Sequence, residues 1–184
     1  MVGYAPCIKK CSQGFTLIEM TVVVGIVVIL ASLAIPSFVE TIKRYHVTGI
    51  KDELEASIHL GRAEAIRRGV PIVLGRTSAC GKALVDSGDW GCGWEMVIDS
   101  DANGIKTEGE QILQTYSMPA NYLLNHFAGG AQSLVLNVWG QVSGVGHRFV
   151  ISQVGDMSGV STNSLCISSG GRLRTVVGSF TCSL

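Results

Sequence analysis

Gly14-Phe15-Thr16-Leu17-Ile18-Glu19-Met20 leads through Thr21 into the apolar segment VVVGIVVILASLAI, which ends at Ile35. From Met20 to Ile35 no residue is charged, and Phe15 to Ile18 carries the apolar character back past Glu19. Together these make about 20 residues, roughly 30 Å as a helix, which matches the hydrocarbon core of a bilayer. Lys9 and Lys10 stand just before the run, and basic flanks stay on the cytoplasmic side. The expected arrangement is a single-pass inner-membrane anchor, amino terminus inside and the rest of the chain outside. A secretory signal peptide begins in the same way, but no clean small-x-small site follows the run, and a helical period continues beyond Pro36. Glu19 is out of place in such an anchor, since a carboxylate in lipid costs on the order of 2.5–3.5 kcal/mol. Either it snorkels to the headgroups or it awaits a cationic partner from a neighbouring subunit.

The rest of the 184 residues are enough for one domain with a real core. Fourteen basic residues balance 14 acidic ones, so no global positive field advertises nucleic-acid binding and any such contact must be local. The 23 glycines fit a domain of many short strands and turns.

Beyond Pro36, Val47, Ile50, Leu54, Ile58, Gly61 and Ala65 step by three and four, the mark of one packed helix face. Lys51, Asp52, Glu53, Glu55, Arg62 and Glu64 fill the opposite, solvated face, and Glu64 and Arg68 form a favourable i,i+4 pair. Gly69 followed by Pro71 ends the helix. Phe15 to Arg68 thus reads as one helix of about 80 Å, with Pro36 the place for a bend. Strands are expected over 71–74, 94–99, 111–116, 134–138, 147–152, 164–168 and 173–177, separated by Gly, Asn, Asp and Ser. The fold class is α+β: a long amino-terminal helix, its first half transmembrane, packed on a carboxy-terminal antiparallel sheet domain.

Gly14-Phe15-Thr16-Leu17-Ile18-Glu19, the apolar run and Pro36-Ser37-Phe38 together resemble the class III signal of type IV pilins and type II secretion pseudopilins. The segments Gly93 to Asp99 and Glu108 to Leu113 resemble the core of FimT/GspH-type minor pilins, so the likeness covers nearly the whole mature chain. The resemblance implies a pilin-like fold and cleavage by a prepilin peptidase between Gly14 and Phe15. It further implies N-methylation of the new Phe15 amine, and pairing of Glu19 with that amine on an adjacent subunit. Residues 1–14 are then the leader, 15–36 the transmembrane helix, 37–69 its periplasmic half and 70–184 the globular domain. Other major and minor pilins become the partners, in a pilus or pseudopilus.

Cleavage there discards Cys7 and Cys11 and leaves Cys80, Cys92, Cys166 and Cys182 in an oxidising compartment. Of three possible pairings, sequence proximity favours Cys80–Cys92 and Cys166–Cys182, each closing a loop worth about 3 kcal/mol. A zinc site is the alternative, without a Cys-x-x-Cys pair or histidine cluster to support it. Asp99 to Glu110 fits D-x-D-x-N-G-x5-E, the spacing of a calcium loop with Asp99, Asp101, Asn103 and Glu110 as ligands. Its flanks read as strands, however, and Lys106 stands where an aliphatic residue is usual. A hairpin turn without cofactor is the preferred reading. His46, His59, His126 and His147 show no partner pattern, and no nucleophile elbow, P-loop or metalloprotease helix is present. Trp90, Trp94 and Trp139 read as core or turn packing, and catalysis is not expected.

Near the carboxy terminus, Gly170-Gly171-Arg172-Leu173-Arg174 places two arginines at i and i+2. On a strand both guanidiniums project from one face while Leu173 points to the core. On spacing alone this is a solvated strand face. The Gly-Arg-x-Arg motif also resembles that of FimT-type minor pilins, which bind DNA in natural transformation. The resemblance implies that Arg172 and Arg174 meet phosphates of double-stranded DNA and that Gly171 permits close approach. Arg148, a further basic residue outside the motif, is a candidate to extend the patch. The competing expectation is an H-type minor pseudopilin of a type II secretion filament, contacting only protein.

Overall fold

The computed structural model describes residues 14–78, 80–128, 132–144, 146–155, 161–178 and 182, without the side chains of 33–37. The leader before Gly14, with Lys9, Lys10, Cys7 and Cys11, lies outside the described residues, as does the Pro36 side chain. Helix α1 spans Leu17–Arg68. The chain divides into two units, Met1–Val39 and Glu40–Leu184, each described on its own.

In the first unit the apolar side chains of Val22, Val23, Val24, Ile26, Val27, Val28, Ile29 and Leu30 are all exposed. Among the described residues no helix is long and apolar enough to cross a membrane. Residues 33–37, the end of the apolar run and its approach to Phe38, are among the side chains left undescribed.

In the second unit, Val47, Ile50, Leu54, Ile58 and Ala65 are buried in the core, as their spacing requires. Gly61 lies on the same face, where a Cβ would stand 2.5 Å from Leu136 Cδ1. The helix ends as expected: Gly69 adopts φ 68°, and its N–H reaches the Ala65 carbonyl at 2.9 Å.

Eight strands follow: β1 (Ile72–Arg76), β2 (Gly93–Ile98), β3 (Ile112–Ser117), β4 (Tyr122–Phe127), β5 (Ser133–Leu136), β6 (His147–Gln153), β7 (Asn163–Ile167) and β8 (Leu173–Val177). Seven lie within two residues of their expected bounds, and β4 is the addition. They form two antiparallel sheets, ordered β3-β2-β1-β5 and β4-β6-β7-β8. The core gathers inward-facing residues of both sheets against the buried helix face.

Two polar groups are carried into that core with partners. Trp94, fully buried and stacked on Tyr116, donates its indole N–H to Ser57 Oγ at 3.0 Å. Left unpaired there, that donor would cost about 1–3 kcal/mol. His126 and His147, which show no partner pattern in the sequence, are buried, stacked and joined Nε2 to Nδ1 at 3.0 Å. His147 Nε2 donates to the Ser143 carbonyl at 2.8 Å, so its Nδ1 is the acceptor for His126 Nε2–H. Register explains the pairing, because β4 runs beside β6 and carries His126 inward opposite Phe149. Trp90 also fills the core, whereas Trp139 is exposed on the turn after β5.

Candidate functional site

At the amino end, Thr16 precedes the first helical residue, and its hydroxyl accepts from the Glu19 N–H at 3.2 Å. The Glu19 carboxylate reaches back to the Thr16 N–H at 3.1 Å and hydroxyl at 3.2 Å. Thr-x-x-Glu is thus a capping box that satisfies helix-start donors reciprocally. The spacing was present in the sequence, but there Glu19 is read for its charge alone. Within a single chain, the carboxylate already has partners before any neighbour arrives.

At the other end, the β7–β8 connection is a tight turn. Gly171 N–H donates to the Ser168 carbonyl at 2.7 Å, and Ser168 N–H to the Arg172 carbonyl at 3.1 Å. Arg172 N–H donates to Ser168 Oγ at 3.0 Å. Arg172 stands one residue outside β8, while Arg174 lies within it; both are exposed and alternate with Leu173, which packs on the core.

Register shows what surrounds Arg174. It pairs with Cys166, which pairs with Arg148, which pairs with Phe127. Directly opposed residues of antiparallel strands share a face, so Phe127, Arg148, Cys166 and Arg174 form one row on the outer side. The neighbouring row, His126, Phe149 and Leu165, is buried. Arg148 and Arg174 are two strand spacings apart, roughly 10 Å. The Arg148 guanidinium lies 4.6 Å from the Phe127 ring centroid, a cation–π contact that orients it. Between the two arginines, Cys166 is bonded to Cys182, which ties the chain end to this row. Cys80 and Cys92 form the second disulfide, so both pairings follow sequence proximity.

Arg62 departs from its expected place on a solvated face. It is half-buried, and its Nη2 donates to the Gly171 carbonyl. Burial pushes its pKa down from the usual guanidinium value, though not far enough to discharge an arginine. The available signal was position: Arg62 is four residues after Ile58 and three before Ala65, hence beside the buried stripe. Glu64 and Arg68 do pair, and Arg67 joins them. Hydrogen bonds from the two guanidiniums hold the Glu64 carboxyl down at about 2.

The Asp99–Glu110 loop joins β2 to β3. Carboxylate oxygens of Asp99, Asp101 and Glu110 lie within 4.8 Å of one another. Each already accepts from the loop backbone: Asp99 from Asn103 and Gly104 N–H, both at 3.0 Å, Asp101 from Asn103 N–H at 3.2 Å, and Glu110 from Thr107 N–H at 2.8 Å. Burial, with Asp101 and Glu110 close by, pushes the Asp99 carboxyl up, against the pull of the Gly104 and Asn103 N–H groups. Lys106 forms an ion pair with Glu95 of β2. The arrangement is that of a turn closed by its own side chains.

Comparison with known proteins agrees with the fold. The family described as type II transport protein GspH matches residues 52–180, and the prokaryotic N-terminal methylation motif matches residues 9–35. The type IV minor pilin FimU of Pseudomonas aeruginosa is similar in structure in two crystal forms. One gives a TM-score of 0.55 at 19% identity, covering 76% of this chain and 97% of that one. The other gives 0.54 at 20% identity, covering 74% and 99%. The minor pseudopilin EpsH of the Vibrio cholerae type 2 secretion system gives 0.47 at 16% identity, covering 68% and 92%. No curated protein matches.

Proposed function

The chain belongs to the family of type II transport protein GspH, a minor pilin or pseudopilin with an N-terminal methylation motif; from that premise we propose that it is a minor type IV pilin, near the pilus tip, that binds double-stranded DNA for uptake in natural transformation. A prepilin peptidase cuts between Gly14 and Phe15, and the Phe15 amine is methylated. Residues 15–36 anchor the chain in the inner membrane, and residues 37–69 and 70–184 lie in the periplasm. On assembly Glu19 exchanges its intrachain cap for the Phe15 amine of a neighbour, which removes two costly groups from lipid.

The observation that supports DNA binding is the outer row of the second sheet, where Arg174 and Arg148 share a face with Arg172 beside them. Guanidiniums there meet phosphates without reading sequence, so binding is sensitive to salt. The test is binding of a labelled duplex by the full chain in detergent micelles. Arg172→Ala combined with Arg174→Ala abolishes it, and a wild-type chain that binds nothing at low salt defeats the proposal.

The family's own description favours a second reading, a type II secretion pseudopilin with a purely structural role. Deleting the gene distinguishes the two, through loss of transformation in the first case and loss of protein secretion in the second.

A further inference from the structure

Resting on the reading of the β7–β8 end as a DNA-binding surface, we propose that Arg62 of α1 is a positioning residue for Arg172. Its guanidinium occupies the space of the Cβ that Gly171 lacks, binds the Gly171 carbonyl and fixes the turn from which Arg172 projects. The glycine of the Gly-Arg-x-Arg motif is therefore there to admit an arginine of its own chain rather than a phosphate.

Three observations carry this. A Cβ built at Gly171 would lie 2.6 Å from Arg62 Nη2, 2.8 Å from Cζ and 3.3 Å from Nε, so the guanidinium sits against the bare Cα. Gly171 also adopts φ +80°, which side-chain-bearing residues rarely adopt, so the position excludes them on two separate grounds. Finally, the carbonyl of Gly171 and the N–H of Arg172 belong to one planar peptide unit. Arg62 donates to its oxygen, and its nitrogen donates to Ser168 Oγ at an N···O distance of 3.0 Å. A peptide plane pinned at both edges fixes the direction in which the Arg172 Cα presents its side chain.

Arg62 is an unusual choice for a merely structural contact. Among the described residues no carboxylate forms an ion pair with it, and its buried Nε has no hydrogen-bond partner. A half-buried cation held by a carbonyl is costly in the free protein. The helix supplies what a surface turn lacks, a fixed anchor.

The test is a pair of double-mutant cycles on the full chain in detergent micelles. For affinity toward a labelled duplex, Arg62→Met alone weakens binding roughly tenfold, as Arg172→Ala does, and adds little once Arg172 is gone. Arg62→Lys, which keeps a donor of similar reach, recovers most of the loss. Additive losses, or an Arg62→Met chain that binds like wild type, overturn the positioning role; additivity would instead mark Arg62 as an independent phosphate contact. For thermal stability, Gly171→Ala lowers the midpoint by about 4 °C or more beside Arg62 and by about half as much in the Arg62→Ala background. Equal shifts in the two backgrounds overturn the contact. If wild type binds no DNA, the positioning role falls with the reading beneath it, while coupling in the stability cycle still separates that failure from failure of the contact.

Discussion

Gly61→Ala measures how closely α1 sits on the first sheet, and its sign follows from two opposed effects. Alanine inside a helix gains about 1 kcal/mol over glycine. The new Cβ would stand 2.5 Å from Leu136 Cδ1, 3.2 Å from Met96 Sδ and 3.5 Å from Ile72 Cγ2. Ordinary carbon contact is about 3.5 Å, so Leu136 has to retreat by about 1 Å. Leu136, Met96 and Ile72 are all fully buried, so the displaced methyl has to move within the core rather than into solvent. Overpacking of this kind costs about 1–3 kcal/mol. The net expectation is a loss of about 1 kcal/mol for alanine. Valine adds two methyls and gives up much of the helix-propensity gain, so it loses about 3 kcal/mol or more. Urea denaturation followed by tryptophan fluorescence reads both, since Trp90 and Trp94 lie in the same core. An alanine variant stabilised by the full propensity gain, with valine near neutral, would refute the close approach.

Phosphate contacts by Arg172, Arg174 and Arg148 give a salt slope of about −2.7, hence an affinity loss of about 40-fold between roughly 50 and 200 mM salt. Removing Arg172 and Arg174 should leave any residual binding with a slope near −0.9, and an unchanged slope in an anisotropy titration would exclude them as contacts. Glu64 has its carboxyl lowered from 4.5 to about 2 by Arg67 and Arg68. Its stabilising effect is therefore complete above pH 4.5 and lost as pH falls toward 2, because the unfolded chain takes up the proton first. Glu64→Gln should flatten thermal stability across that window, and matching profiles for the two proteins would remove the pair from the account. Replacing Cys166 and Cys182 together, which opens a closed span of 16 residues, lowers stability by about 3 kcal/mol in the chain-entropy model; equal urea midpoints would show that the chain end imposes no constraint. Calorimetric titration with millimolar calcium gives no heat if Asp99 to Glu110 is a self-closed turn, whereas heat that disappears in Asp99→Asn establishes a metal site.

What could be read from the sequence was what one element determines by itself. The helix face from Val47 to Ala65 is periodic because a single surface is buried, and the Gly69 stop is local chemistry. Strand β4 escaped because its inward residues are Leu124 and His126, so the alternating apolar signal stops at a histidine. That histidine is tolerated inside only because His147, 21 residues away, supplies its partner. The return of β5 to the first sheet, after β4 has begun the second, is likewise a pairing between distant segments. Arg62 was misread, and Glu19 was read incompletely, for one shared reason. A charge in a sequence suggests water or a foreign partner, yet each of these side chains turns to its own backbone, at Gly171 and Thr16. The arginines of the motif were visible at spacing i, i+2, but a sequence does not show what holds their turn. That support comes from the helix 109 residues earlier, so the conformation of the motif turn rests on α1 as well as on its own residues.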